Sequence, residues 1–440
     1  MTINKTNNKS FYDNVITLLK GNSIAQAIPL LISPILARIY SPDNFAVFGL
    51  YMSILAILTV FVTGKYELAI MLPKSNRNAL NVFALSIIIS VINSLIILLI
   101  AANPLFNFSE LFSIKMERQL ILLIPLSVLL IGVFNSLRYL NNRNKQFTEL
   151  AQTKVYRSLS TAIFNVSFGL LGLTNIGLIT SNIIAQLFAN VNLLRHNIFL
   201  KNLYGSISLA QMKKMLSKYS KFPIFDLPAN LFFNLYSSML VFYFSVFMTP
   251  TVAGMYFFVN RLLKTPASFF VTSFQDVFFQ KISENSDNIA VEAEKFSKQI
   301  FFFLFLPFFL IVYLSYFYSD LLFGNKWTDL YKYFYCISLP IFMSIINSPF
   351  AHILKVLNKQ EYSLIIHVGR FIILFSALFL MSSWSLKLFE ILIIFSLLES
   401  LYYLFISIFT MKILSHPYGF YLKLVIFSLF ISFLNLFLLS

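Results

Sequence analysis

Charge is what this chain has least of. Only 11% of its 440 residues are Asp, Glu, Lys or Arg, against 58% hydrophobic. A soluble protein of this size exposes far more charge, so a fold bounded by water is excluded. Cysteine is nearly absent. The single Cys336 lies in an apolar run, which rules out a disulfide framework and a cysteine-based metal site. The four histidines (His196, His352, His367 and His416) are dispersed, so no metal-ligand or nucleophile constellation is expected and no cofactor is implied. No Gly-x4-Gly-Lys-Ser/Thr pattern occurs, which excludes direct use of ATP through such a loop. Met1–Lys20 is polar and lacks the apolar core and small-residue cleavage site of a signal peptide, so the first apolar segment is expected to be retained.

What is present is long charge-free stretches: Asn78–Ser109, Gln119–Leu137, Ser158–Leu194, Leu227–Asn260 and Leu424–Ser440. A helix needs about 20 apolar residues to cross the hydrocarbon core. Spans are expected at 21–40, 44–64, 79–103, 118–138, 147–171, 174–195, 222–248, 251–276, 299–319, 331–355, 362–382 and 388–411, with a further one at 420–439. Turns such as Gly172-Leu173-Thr174-Asn175 and Met248-Thr249-Pro250-Thr251 divide the longer stretches. The expected fold is an all-α polytopic membrane protein. About 12 transmembrane helices would form two six-helix lobes around a central cavity, with an extra C-terminal hydrophobic helix. The expected division is residues 1–198 and 220–412 for the lobes, 199–219 for a basic linker and 413–440 for the added helix.

The net charge of +16 belongs to no soluble domain that would bind nucleic acid; the charges punctuate the spans. With the N-terminus inside, about 26 of the 33 basic residues fall on inner loops and helix ends and about six on outer ones. That asymmetry predicts a cytoplasmic N-terminus and a cytoplasmic central linker.

Polar residues inside the spans recur at helical spacing. Asn22 and Gln26 mark the first, Asn165 the fifth, Gln186 the sixth, Asn230 and Asn234 the seventh, Asn260 and Gln275 the eighth. Cations accompany them: Arg38, Lys154, Arg157, Arg261, Lys264 and Arg370. The acidic counterparts are fewer: Glu67, Asp226, Asp276 and Glu399. An Arg or Lys at mid-helix costs about 2.5–3.5 kcal/mol on insertion scales, so these side chains are expected to face the bundle interior. They line either a hydrated cavity or the hydrogen-bonded seams between helices. A cationic lumen attracts an anion, and arginine suits a diphosphate. Snorkelling to the interface is the alternative for Arg157 and Lys264. Asp226 and Glu399 are candidates to bind a coupling H⁺ or Na⁺; a fixed pair with Arg370 or His367 is the alternative for Glu399.

Several segments resemble bacterial oligosaccharide flippases, the Wzx-type O-unit translocases. Gly21-Asn22-Ser23-Ile24-Ala25-Gln26, then Pro34, Ala37-Arg38-Ile39-Tyr40-Ser41-Pro42 and Phe45, are similar to the opening of that family. Lys65-Tyr66-Glu67-Leu68-Ala69-Ile70-Met71-Leu72-Pro73 resembles its Arg-Tyr-Glu-x-Ala-Ile-x-Leu-Pro segment, with lysine for arginine. Tyr219-Ser220-Lys221-Phe222-Pro223 resembles the start of its seventh helix. Gly254, Tyr256, Arg261, Pro266 and Val277-Phe278-Phe279-Gln280-Lys281 resemble its eighth. The last third matches only as hydrophobic pattern. The resemblance implies membership of the multidrug/oligosaccharidyl-lipid/polysaccharide exporter superfamily and alternating access. It implies a cargo of undecaprenyl-diphosphate-linked oligosaccharide, flipped across the bacterial inner membrane for O-antigen or other surface polysaccharide. Its implied partners are membrane lipids, a polysaccharide polymerase and a chain-length regulator.

Two other classes compete with this non-enzyme reading. A multidrug-type antiporter would favour an acidic lumen for cationic drugs, against the basic excess here. A membrane glycan polymerase or ligase would need a substantial outer loop to hold acceptor and donor, and no outer connection exceeds about 15 residues on this division of the chain.

Overall fold

Membrane-bounded backbone must satisfy its own hydrogen bonds, and this chain does so with helices. The computed structural model describes the backbone of residues 3–103, 112–114, 116–195, 207–284, 289–350, 353, 360–384 and 386–439; the side chains of 3–19, 269–284, 360, 361 and 363 fall outside the description. No strand occurs among the described residues.

The helices are α1 (Ile3–Ile39), α2 (Pro42–Phe61), the single turn α3 (Tyr66–Ala69), α4 (Asn76–Ala102), α5 (Arg118–Arg143), α6 (Phe147–Leu170), α7 (Thr174–Arg195), α8 (Leu209–Lys218), α9 (Leu227–Phe247), α10 (Pro250–Glu284), α11 (Ile289–Phe323), α12 (Leu330–Ile346), α13 (Gln360–Ser383), α14 (Leu388–Ile413) and α15 (Gly419–Leu439). Every expected span overlaps one of them; that at 331–355 extends beyond α12, and its residues 351, 352, 354 and 355 lie outside the described residues. Ten described helices are long and apolar enough to cross a membrane, α15 among them, and α12 is a shorter apolar helix. Helix α10, whose side chains beyond residue 268 fall outside the description, is not among the ten, and neither is helix α6. Lys154, Arg157, Ser158, Thr161 and Asn165 dilute its apolar residues.

Helix ends follow local chemistry. Ser41 caps α2 in a capping box with Asn44, and Pro42 supplies the first turn. Ser75 caps α4. Between α6 and α7 the chain reverses through Gly172 at φ 78°. A π turn, Phe222–Asp226, leads into α9, with Pro223 and Pro228 on either side of Asp226.

The chain forms two compact units, Met1–Gly254 and Met255–Ser440. In the first, α6 packs between α1 and α7, α5 joins α7 to α4, and α2 packs on α5, α7 and α9. In the second, α12 packs on α11, α14 and α15, and α13 packs on α14. The division expected from sequence falls earlier, in the 199–219 linker. Helix α9 belongs with the first unit because it lies along α2. The described part of that linker is not an open loop: α8 buries Met212 and Met215 and packs on α4.

Close approach needs small residues at two places in the first unit. A β-carbon on Gly254, one turn into α10, would collide with the carbonyl of Pro42, where α10 meets the start of α2. One on Gly21 would stand 2.6 Å from the Ala151 β-carbon, so α1 and α6 touch nearly backbone to backbone.

A candidate ligand site in the helix interior

In the second unit a charged cluster forms where α13 meets α14. Arg370 is 3% exposed, two to three turns into an apolar helix. Its Nη2 donates to Glu399 Oε1 at 2.6 Å. The guanidinium lies 4.1 Å from the Tyr403 ring centroid and 5.9 Å from that of Tyr402. Tyr402 donates its hydroxyl to the Ile366 carbonyl at 2.6 Å, which ties the two helices one turn away. From α12, Asn347 donates to the Tyr403 carbonyl at 2.7 Å and to Ser407 Oγ at 2.6 Å, fixing the α14 face. Tyr256 and Lys264 of α10 lie within electrostatic reach of Glu399, and Lys264 of Arg370 too. Arg261 sits one turn before Lys264 on α10, half-buried, while Lys264 is exposed. Lys264 and Arg370 thus share a neighbourhood with one carboxylate. A charge pair withdrawn from water is weak evidence for stability, because desolvation offsets much of the attraction. The excess of basic over acidic side chains is the chemically informative part.

The first unit holds a second cluster, at the foot of α2. Gly64 and Lys65 both take positive φ, 58° and 63°, and turn the chain back under the helix. Thr63 donates to the Glu67 carboxylate, and Glu67 is buried. Tyr66 donates to the Leu216 carbonyl of α8 at 3.0 Å. Arg143 holds the other end of the segment through the carbonyls of Ile70 and Met71, both at 3.2 Å, and Asn76 Oδ1 at 3.3 Å. Glu67, Asp226 and Arg138 all act on Lys65; burial nonetheless outweighs the two carboxylates and holds its ammonium below the usual lysine range. Arg138 in turn neighbours Arg157, whose guanidinium lies 5.4 Å from the Phe134 ring centroid. Lys154 donates to Asn22 Oδ1 at 2.7 Å.

The candidates from sequence therefore fall into groups. Lys264, Arg370 and Glu399 come together, with Arg261 on the same helix as Lys264. Arg157 joins Arg138, and Asp226 joins Lys65. Asn22 pairs with Lys154. Arg38 stands exposed in the last turn of α1, and Gln26 and Asn260 are half-buried. Asn230 and Asn234 donate to the carbonyls of Asp226 and Asn230 on their own helix, at 2.7 and 2.8 Å. Gln186 bonds Asn190 at 3.4 Å, and Asn190 reaches the Leu130 carbonyl at 2.9 Å. Asn165 is wholly buried; its backbone carbonyl accepts from Tyr40 at 2.7 Å, while its side-chain amide finds no partner among the described residues. Gln275 lies outside the described side chains. For Glu399 the geometry is that of the fixed pair with Arg370.

Sequence reasoning missed Arg138 and Arg143, because both end a span and count as loop cations. The signal available was their spacing from Arg157 and Lys154 across a short turn.

The fold is similar to an inward-facing multidrug resistance MATE-family transporter of the MOP superfamily, with TM-score 0.69, 14% identity, and 90% of this chain and 94% of that one covered. It is similar to the lipid II flippase MurJ in an inward closed conformation, with TM-score 0.67, 16% identity, and 95% and 92% covered. It is also similar to a MOP superfamily transporter from Pyrococcus furiosus, described as having a binding pocket of reverse polarity, with TM-score 0.53, 12% identity, and 91% and 95% covered. No curated protein matches the sequence. Identities this low carry the fold alone, which is that of MOP superfamily transporters and flippases. Residues 35–332 match the family described as polysaccharide biosynthesis protein, and the chain belongs to that family.

Proposed function

We propose that the protein flips an undecaprenyl-diphosphate-linked oligosaccharide repeat unit from the cytoplasmic to the periplasmic leaflet of the bacterial inner membrane by alternating access. The product serves O-antigen or another surface polysaccharide and passes to a polymerase and its chain-length regulator. The observation that carries this reading is the cluster of Lys264, Arg370 and Glu399, with Arg261 one turn before Lys264, net positive among apolar helices. A diphosphate cannot enter hydrocarbon unaided, and guanidinium groups replace its water with charge-assisted hydrogen bonds. Tyrosine faces and buried amides beside such cations suit sugars. A cationic drug would meet repulsion at the same place, which argues against the antiporter reading.

Glu399 has a second role in this proposal. A coupling ion, H⁺ or Na⁺, bound at Glu399 would compete with Arg370 for the carboxylate, so ion binding at Glu399 and anion binding at Arg370 are linked in this proposal. The test is surface-glycan display in a strain lacking its own copy. Arg261→Gln, and Arg370→Gln combined with Glu399→Gln so that no buried charge is orphaned, should each cut display or reconstituted flipping about tenfold to a hundredfold. That is roughly the worth of one charge-assisted hydrogen bond to the cargo. Lys at position 370 should rescue only in part, since an ammonium makes no planar bidentate contact. Full display by both variants, at normal membrane levels, sinks the proposal.

A further inference from the structure

Helix α11 is too long for its task. Its 35 residues span about 52 Å, well over the roughly 30 Å of hydrocarbon. Residues 300–319 carry no charge, and those twenty residues alone cross the core. The turns before them carry Glu294, Lys295 and Lys298 and therefore stand in the head-group region. There a cavity of about 1150 Å³ opens on the second unit, lined by these three side chains, His416 from the α14–α15 turn, and Phe302 and Phe303.

Its walls are ordered by one carboxylate. Glu294 takes Lys298 at 2.6 Å through one oxygen and His416 at 2.8 Å through the other. That fixes α11 to the α14–α15 turn and leaves the cavity with a surplus positive charge. Lys298 keeps about half its side chain exposed despite the pair. Lys295 is exposed and makes no ion pair among the described residues. One turn deeper, Phe302 and Phe303 are 75% and 74% exposed and belong to the charge-free part of the helix. Cations at head-group height with bare aromatic surface directly below match an amphiphile that is anionic at one end and apolar at the other.

We propose that this cavity binds an anionic glycerophospholipid, its phosphate against Lys295 and Lys298 and one acyl chain over Phe302 and Phe303. The occupant is a lipid of the surrounding bilayer, and the site is independent of the flipping proposed above. On the basic-residue asymmetry it faces the cytoplasmic leaflet.

The test uses the full-length protein in detergent, with native mass spectrometry counting retained lipids. Dioleoylphosphatidylglycerol should be retained over dioleoylphosphatidylcholine. Lys295→Gln should lower that preference about fivefold, and Lys298→Gln in addition by a similar factor, from the usual attraction of a near-surface lysine to an anionic lipid. Lys295 holds no element in place, so its variant should fold normally. Phe302→Ala with Phe303→Ala should reduce retention of both lipids and leave their ratio unchanged. Inorganic phosphate at matched concentration should displace neither. The proposal is overturned if the native protein retains both lipids equally or if the double lysine variant keeps the preference. It is also overturned if phosphate competes as well as lipid, which makes the site a simple anion site.

Discussion

Lys65 takes a left-handed conformation that costs a non-glycine residue about 1–2 kcal/mol, and its ammonium is partly withdrawn from water. Glu67 and Asp226 favour the charged form, but burial dominates and the folded pKa falls below the unfolded one. The folded state then binds fewer protons than the unfolded state between those two values, so stability rises with pH across that window, up to the ordinary lysine value near 10.5. Thermal unfolding of the native protein should shift upward over that interval relative to Lys65→Met, which removes the titration. Parallel curves for the two proteins contradict this account. Other residues differ in how readable they were. Arg370 stood out because a charge deep in a span has few affordable environments. Asn230 and Asn234 looked equally informative, yet an amide can satisfy itself one turn back on its own helix, and these do. Spacing alone does not separate an amide aimed at a ligand from one bonded to its own backbone.

Elements were legible where the bilayer dictates their length. All the expected spans overlap helices because an apolar run of about 20 residues has no other way to satisfy its backbone in lipid. Helix α8 was not foreseen, since its ten residues are amphipathic but too short and too polar to read as a span. The contact between the start of α2 and the first turn of α10 is also hidden in the sequence. There two helix starts touch: Thr251 Oγ1 donates to Asp43 Oδ1 at 2.7 Å, and Gly254 abuts Pro42. Side chains of any size are excluded there. Gly254→Ala should destabilise the protein by about 1–3 kcal/mol, the usual cost of overpacking, because the obstacle is backbone and cannot rotate away. Gly419→Ala, with open space around it, is the control and should change little. Equal melting temperatures for the two variants would mean that α10 does not sit on α2 in this way.

At the scale of the whole molecule, the sequence shows a membrane protein of many spans, and the fold agrees; the grouping of those spans into units follows packing that hydropathy does not record. Orientation is the property that basic residues predict independently of packing. The described turn at Leu173 and helix α8 are separated by a single crossing, α7, so they must face opposite sides of the bilayer. The roughly 26-to-6 division of basic residues predicts a cytoplasmic α8. The only native cysteine, Cys336, is 1% exposed and should not react with a membrane-impermeant maleimide. Single cysteines can therefore be read against a quiet background. Ser217→Cys, on the exposed face of α8, should label only after the inner membrane is opened, whereas Leu173→Cys should label from the periplasmic side. The reverse pattern overturns the orientation and moves the proposed phospholipid site to the other leaflet. Labelling of both from one side would instead mean that α7 does not cross. Its Gln186 and Asn190 are buried and bonded within the first unit, leaving its remaining surface for lipid, so the crossing is the expected result.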